Sequence, residues 1–322
     1  MEESIRNEAM EKLGQMETGS YKPRVNAEQM LSYLEEMAAK GVDVKELVGS
    51  QDLRRLAYGK MTSKLYGFQQ TRDGKVYDEQ GKFYLTGGDK PELKAITVYH
   101  KELDRSQFKG YVFTAEEKNN IFQNGQAGTV IELDVNHGNK EGLEPKMEKC
   151  YVSYDRDLNR FKAVPVEKIS ENTFKKYFGH ELSDEQAAQL KTGKPVMVEL
   201  PDAKGNIRKT VLQFDAFEFG LKQYPAVFFA PRKFLGVELT DEQRKALGNG
   251  EAVQLNDLQK KDGTKFNAKI KLDGEAKVAF EPGEKKAVKN AVAAVEKPKI
   301  EKPKLEKPKL AKPKKKASGQ KL

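Results

Sequence analysis

The lysines toward the end of the chain are the residues whose spacing most directly implies chemistry. Lys297, Lys299, Lys302, Lys304, Lys307 and Lys309 recur in a Glu-Lys-Pro-Lys-Ile/Leu repeat, and Lys312, Lys314, Lys315 and Lys316 close the run. Proline at every fifth position removes backbone donors and forbids helix and sheet. The segment is therefore expected to be an extended, solvated, polyproline-II-like chain. It cannot bury enough apolar surface to fold. Cations at this spacing can follow a phosphate backbone and displace its counterions, which gives nucleic-acid affinity without sequence readout. The segment has no aromatic side chain to stack on bases. In composition only, it is similar to the tails of linker histones. A solubilising tether is the other reading of the same lysines. Ile300, Leu305 and Leu310 are too sparse to anchor it in an acidic membrane, so no membrane partner is expected.

Other chemistry-bearing groups fall short of a site. Ala57-Tyr58-Gly59-Lys60-Met61-Thr62 has part of a phosphate-binding loop, but Arg54 stands where the first glycine belongs and Met61 where a hydroxyl should hold magnesium. A helix end capped by Gly59 fits better. His100, His137 and His180 are not at ligand spacing from one another, and the single Cys150 cannot build a zinc site. Asp134-Val135-Asn136-His137-Gly138-Asn139 resembles the start of a calcium loop but lacks the closing glutamate, and reads as a hairpin turn. Glu116, Glu117, Asp184 and Glu185 are expected on exposed first turns of helices, away from any paired base or nucleophile. The expectation is a non-enzyme with no cofactor and no metal.

The elements that would carry these residues repeat. Thr114-Ala115-Glu116-Glu117, Ser183-Asp184-Glu185-Gln186 and Thr240-Asp241-Glu242-Gln243 are three capping boxes. Each is followed, seven positions after the cap, by an apolar residue: Ile121, Leu190 or Leu247. Then come a helix-ending glycine (Gly125, Gly193, Gly250) and an alternating strand such as Val196-x-Val198-x-Leu200. Residues 178–200 and 235–257 align without gaps at nine identities in 23, enough to read a tandem repeat. A second strand ends each unit at Asp155, Asp215 or Asp273, which are expected to start turns. One helix and one hairpin bury too little alone, so the linking residues 161–166 and 227–229 are expected to add strands.

Upstream, Asn26 caps an amphipathic helix over Ala27–Ala39, and residues 43–48 and 51–58 read as two short helices. Residues 1–25 are polar and read as frayed or weakly helical. Residues 65–98 are strand-rich, with Asp73-Gly74 and Gln80-Gly81 as turn signals. The expected fold class is α+β: a small helical N-terminal domain followed by tandem helix-plus-β-hairpin units and a disordered Lys/Pro-rich tail. The divisions are a flexible 1–25, the helical domain 26–65, a strand-rich leader 66–110, units at 111–169, 170–230 and 231–280, and the tail 281–322.

Composition sharpens this picture. Hydrophobic residues make up 37% of 322 and tryptophan is absent, which argues against large buried cores. Residues 281–322 hold 14 Lys and 5 Glu, a net +9, while the other 280 residues hold 44 basic and 44 acidic groups. The body is neutral and the tail is the cation. Cys150, expected to be half-buried at the start of a strand, has no partner for a disulfide, which fits a reducing cytoplasm. No signal-peptide core or membrane-length apolar run is read in the sequence.

The units resemble a family of uncharacterised bacterial modules carried on conjugative elements of anaerobic gut bacteria, encoded beside or joined to topoisomerase-like proteins. The likeness rests on the entries at residues 178–182 and 235–239, on the Asp-Glu-Gln helix, and on Gly250-Glu251-Ala252-Val253-Gln254-Leu255 followed by residues 260–268. Unit two lacks the Phe and Ala of that last segment, and unit one departs further. Residues 26–65 are similar to a companion module, through Leu31, Leu34, Gly41, Leu47, Leu56 and Gly59-Lys60. The resemblance implies mobile DNA, a cytoplasmic setting and a topoisomerase-like protein partner. It implies no activity and carries over no site residues.

Overall fold

The computed structural model describes residues 1–19, 21–138, 143–201 and 205–281. The expected helix at residues 284–296 and the tail lie outside them.

Four helices open the chain: α1 (Glu3–Thr18), α2 (Ala27–Ala39), α3 (Val44–Gly49) and α4 (Asp52–Ala57). Of the two readings of residues 1–25, frayed or weakly helical, the first of these elements shows the helical one over Glu3–Thr18. Its exposed surface is polar, but Ala9 and Leu13 are buried in the domain core. Asn26 accepts from the Gln29 N–H at 2.8 Å while the Gln29 side chain accepts from the Asn26 N–H, so α2 begins at a capping box.

Three antiparallel strands follow in the order β1-β2-β3: β1 (Tyr66–Arg72), β2 (Lys75–Leu85) and β3 (Leu93–Thr97). Asp73 and Gly74, both at positive φ, turn the first hairpin. Gln80-Gly81 does not turn: it lies inside β2. A Cβ on Gly81 would stand 2.4 Å from the Ile96 carbonyl oxygen of β3, so the glycine serves close strand approach. Leu34, Leu47 and Leu56 share one core with Tyr66, Phe83 and Leu85. Helices and leader sheet are thus one packed body across residue 65.

Each repeat unit has the same parts. Unit one contains β4 (Gln107–Phe108), β5 (Tyr111–Val112), α5 (Ala115–Asn124), β6 (Ile131–Asp134), β7 (Met147–Asp155) and β8 (Arg160–Pro165). Unit two contains β9 (Lys176–Tyr177), β10 (His180–Glu181), α6 (Asp184–Lys191), β11 (Val196–Pro201), β12 (Ile207–Asp215) and β13 (Gly220–Pro225). Unit three contains β14 (Lys233–Phe234), β15 (Val237–Glu238), α7 (Asp241–Gly248), β16 (Val253–Gln259), β17 (Lys265–Leu272) and β18 (Val278–Phe280).

The short entry hairpins turn on Lys109-Gly110, Phe178-Gly179 and Leu235-Gly236. Both residues of each pair sit at positive φ, the pattern of a type I′ turn. All three capping boxes are reciprocal, and Ile121, Leu190 and Leu247 are buried. Glu117 is not exposed as expected: it is 6% accessible and also accepts from the Tyr111 hydroxyl.

Every unit closes a three-stranded antiparallel sheet of its own. The third strand of unit one, β8, falls in the linking segment that was expected to supply it. In unit two it is β13, and residues 227–229 instead lie in a 3-10 turn over Ala226–Phe229, behind Pro225. Cys150 is wholly buried in mid-strand, paired across from Ile131 and Pro165, rather than half-buried. Burial pushes its thiol up to about 11.

Side-chain packing and isolated backbone hydrogen bonds, from Val130 to Thr192 and from Met197 to Gly274, join the units without a continuous sheet. Tyr151 and Val164 of unit one complete the core of unit two, and Val211, Tyr224 and Ala276 pack between units two and three. The helical domain meets both of the first two units through Met61, Leu158 and Phe217. Beside that cluster, the Lys82 ammonium donates to Asp155 and Asp157 at 2.8 Å each. Among the described residues, no helix is long and apolar enough to cross a membrane.

Candidate functional site

The docking of the helical domain on the repeats leaves a cleft of about 1340 Å³ between α4, the sheet of unit two and α7. A second cavity of about 700 Å³ adjoins it. The two share a wall that includes Tyr21, Tyr58, Lys60, Tyr177, Phe178 and Glu218.

Seven basic side chains line the larger cleft against three acidic ones. Arg54, Arg55 and Lys60 come from α4 and the residues after it. Arg208, Lys209 and Lys222 come from β12 and β13, and Lys245 from α7. The acids are Glu199, Glu218 and Glu251. The smaller cavity adds Arg24, Lys162 and Lys176 and no further acid. In a body with balanced charge, that excess is a matter of placement.

The floor is a buried ion-pair network. Glu218, 3% accessible at its side chain, accepts from the Arg55 guanidinium and lies 3.8 Å from the Lys60 ammonium. Arg55 also donates to the Met61 carbonyl at 2.8 Å, and Lys60 donates to the Leu221 carbonyl at 3.0 Å. Burial holds Lys60 below the ordinary lysine range, opposed by Glu218 and reinforced by Arg55.

Next to it, one oxygen of Asp215 accepts from Gln126 at 2.9 Å, Lys222 at 3.1 Å and the Tyr224 hydroxyl at 3.3 Å. Its other oxygen accepts the Phe217 and Glu218 N–H groups. Asp215 therefore starts a turn as expected, as do Asp155 and Asp273. Burial pushes its carboxyl up, but Lys222 and the backbone donors outweigh burial and hold it below the usual carboxylate range.

Three aromatic rings stand where the cavities meet. Tyr21 stacks on Tyr58 at 5.3 Å between centroids, and Phe178 sets an edge against them at 5.4 and 6.0 Å. The Arg54 guanidinium lies over Tyr58, 5.6 Å from its centre. Tyr21 and Phe178 remain 47% and 38% accessible, so both residues reach solvent where the cavities meet.

The ten tail lysines, Lys297 to Lys316, lie outside the described residues. Gly59 ends α4 at positive φ, as the helix-end reading expects, but the adjacent Lys60 then reaches the cleft floor. His180 lines the cleft, whereas His100 and His137 are exposed elsewhere. Among the described residues, no group of three His, Cys, Asp or Glu side chains could hold a metal ion. Asp134 instead accepts the N–H groups of Asn136 and Lys146.

Sequence reasoning missed the cleft because its walls come from segments far apart in the chain, and Arg55 and Glu218 carry no local motif. The one available signal was the Phe178-Gly179 turn, which sets a bulky ring at positive φ on an exposed hairpin tip.

Comparison with known families finds two matching segments, residues 175–221 and 231–281, to a family described as a protein of unknown function, DUF3945. They fall on units two and three. No curated protein and no solved structure matches the chain.

Proposed function

We propose that this chain is a non-enzymatic accessory protein of a mobile genetic element. Its folded body docks on a protein partner, and its Lys/Pro tail holds nucleic acid without reading sequence. The observation that carries this reading is the segregation of charge: the tail holds the entire net +9 and the other 280 residues sum to zero. A cation on an extended chain meets phosphates with little steric restriction, while a neutral, multi-unit body avoids indiscriminate electrostatic association. The mobile-element setting, the cytoplasm and a topoisomerase-like partner come from the resemblance of the units, to which the match of two segments to a family of unknown function lends the repeat and nothing of the context.

The reading predicts that the full chain shifts two duplexes of unrelated sequence equally in a mobility assay. Deletion of residues 285–322 abolishes both shifts while leaving the circular dichroism of the body intact. Unchanged shifts after deletion would place the duplex contact in the body and overturn this reading, while no shift by either chain would leave the tail as a tether only and the body as an adaptor.

A further inference from the structure

We infer that the cleft between α4 and unit two is a binding site for single-stranded nucleic acid, with phosphates along its basic walls and bases laid against Tyr21 and Phe178. This site is distinct from the tail and does not depend on the tail's binding anything.

Charge is the first ground. Basic groups outnumber acidic ones seven to three in the cleft lining, although the body as a whole is balanced at 44 to 44. With Arg55 and Lys60 on Glu218 and Lys222 on Asp215, the lining still sets Arg54, Arg208, Lys209 and Lys245 against Glu199 and Glu251. These basic groups come from three separate elements, Arg54 from α4, Lys209 from β12 and Lys245 from α7, so the basic lining is not confined to one segment. The second ground is the rings. A phosphate path alone would suit an acidic peptide equally well, but rings beside it add a stacking surface that an acidic side chain does not use and every base does. Tyr21 and Phe178 are such rings, and both are part-exposed.

Size is the third ground. The cleft alone exceeds the roughly 300–1,000 Å³ of a small-molecule pocket, and a second basic cavity continues past the rings. The volume therefore fits several nucleotides better than one. A duplex keeps its base faces inside its own stack and cannot use the rings. The Arg55–Glu218–Lys60 network beneath ties the helical domain to unit two.

The test uses the full chain and an oligothymidylate carrying one 5-iodouracil, irradiated and mapped by peptide mass spectrometry. The expected adducts lie on Tyr21, Tyr58 or Phe178. Their yield should fall at least tenfold in a Tyr21→Ala/Phe178→Ala variant. A second variant, Lys209→Glu/Lys245→Glu, changes only exposed side chains and should lower adduct yield several-fold with the rings intact. Adducts confined to tail peptides would overturn the cleft site while leaving the tail reading standing. Ring adducts that survive both variants unchanged would overturn it as well.

Discussion

Asp215 shows how one residue can do more than its repeat position demands. Asp155 and Asp273 occupy the same place in their units and accept turn N–H groups in the same way. Asp215 alone also gathers Gln126 of unit one and Lys222 and Tyr224 of its own unit, at 2% exposure. Its carboxyl is held below the ordinary range, so its contribution to stability is present above about pH 4 and is lost as the pH falls through and below that value. Lys222 is held above its ordinary range, chiefly because the charges of Asp215, Tyr224 and Glu218 outweigh its burial. Its contribution is present below about pH 10 and is lost above it. The pair therefore stabilises the fold most between those limits. Asp215→Asn should cost about 2–4 kcal/mol at neutral pH, because Lys222 is left without its counter-charge. It should also flatten the acid limb of the thermal midpoint plotted against pH. An acid limb as steep as that of the unsubstituted protein would contradict this assignment.

At the scale of elements, Gly193 and Gly250 end equivalent helices at φ +84° and +78°. A Cβ on Gly250 would meet only the flexible side chain of Lys209. A Cβ on Gly193 would stand 2.8 Å from the backbone of Thr129, where Val130 of unit one donates to Thr192 at 3.0 Å. Gly250→Ala should cost about 1–2 kcal/mol for the left-handed backbone. Gly193→Ala should cost about 1–3 kcal/mol more, for separating the units. Urea denaturation of the two variants reads the difference, and equal midpoints would mean that the unit contact is soft.

The contrast between these glycines also marks what the sequence made legible. Both helix ends could be read, because a capping box and a glycine stop are local. The contact of Gly193 with Thr129 could not, because it depends on how the units dock. Gln80-Gly81 looked like a turn for the same reason: its glycine answers to the facing strand, not to its neighbours in sequence. Residues 227–229 looked like a strand from their apolar character, but Pro225 precedes them and β13 had already closed the sheet. The first helix read only weakly because it buries only Ala9 and Leu13 behind a polar surface.

At the scale of the molecule, charge divides the labour. A neutral body is built as one helical domain clamped on a row of units by Lys82, Arg55 and Lys60. Within it seven basic side chains line one large cleft, and beyond it the tail carries the whole excess charge. On the functions proposed above, duplex affinity belongs to the tail and single strands to the cleft. The most direct measurement is the affinity for a duplex of the full chain and of residues 1–284 across a salt series. For Z phosphates neutralised, log K falls against log salt with a slope of about −0.9Z. The account predicts a steep slope for the full chain and no duplex binding by the shortened one. A shortened chain that binds the duplex with the same slope would contradict it, and would move the electrostatic contact from the tail to the body.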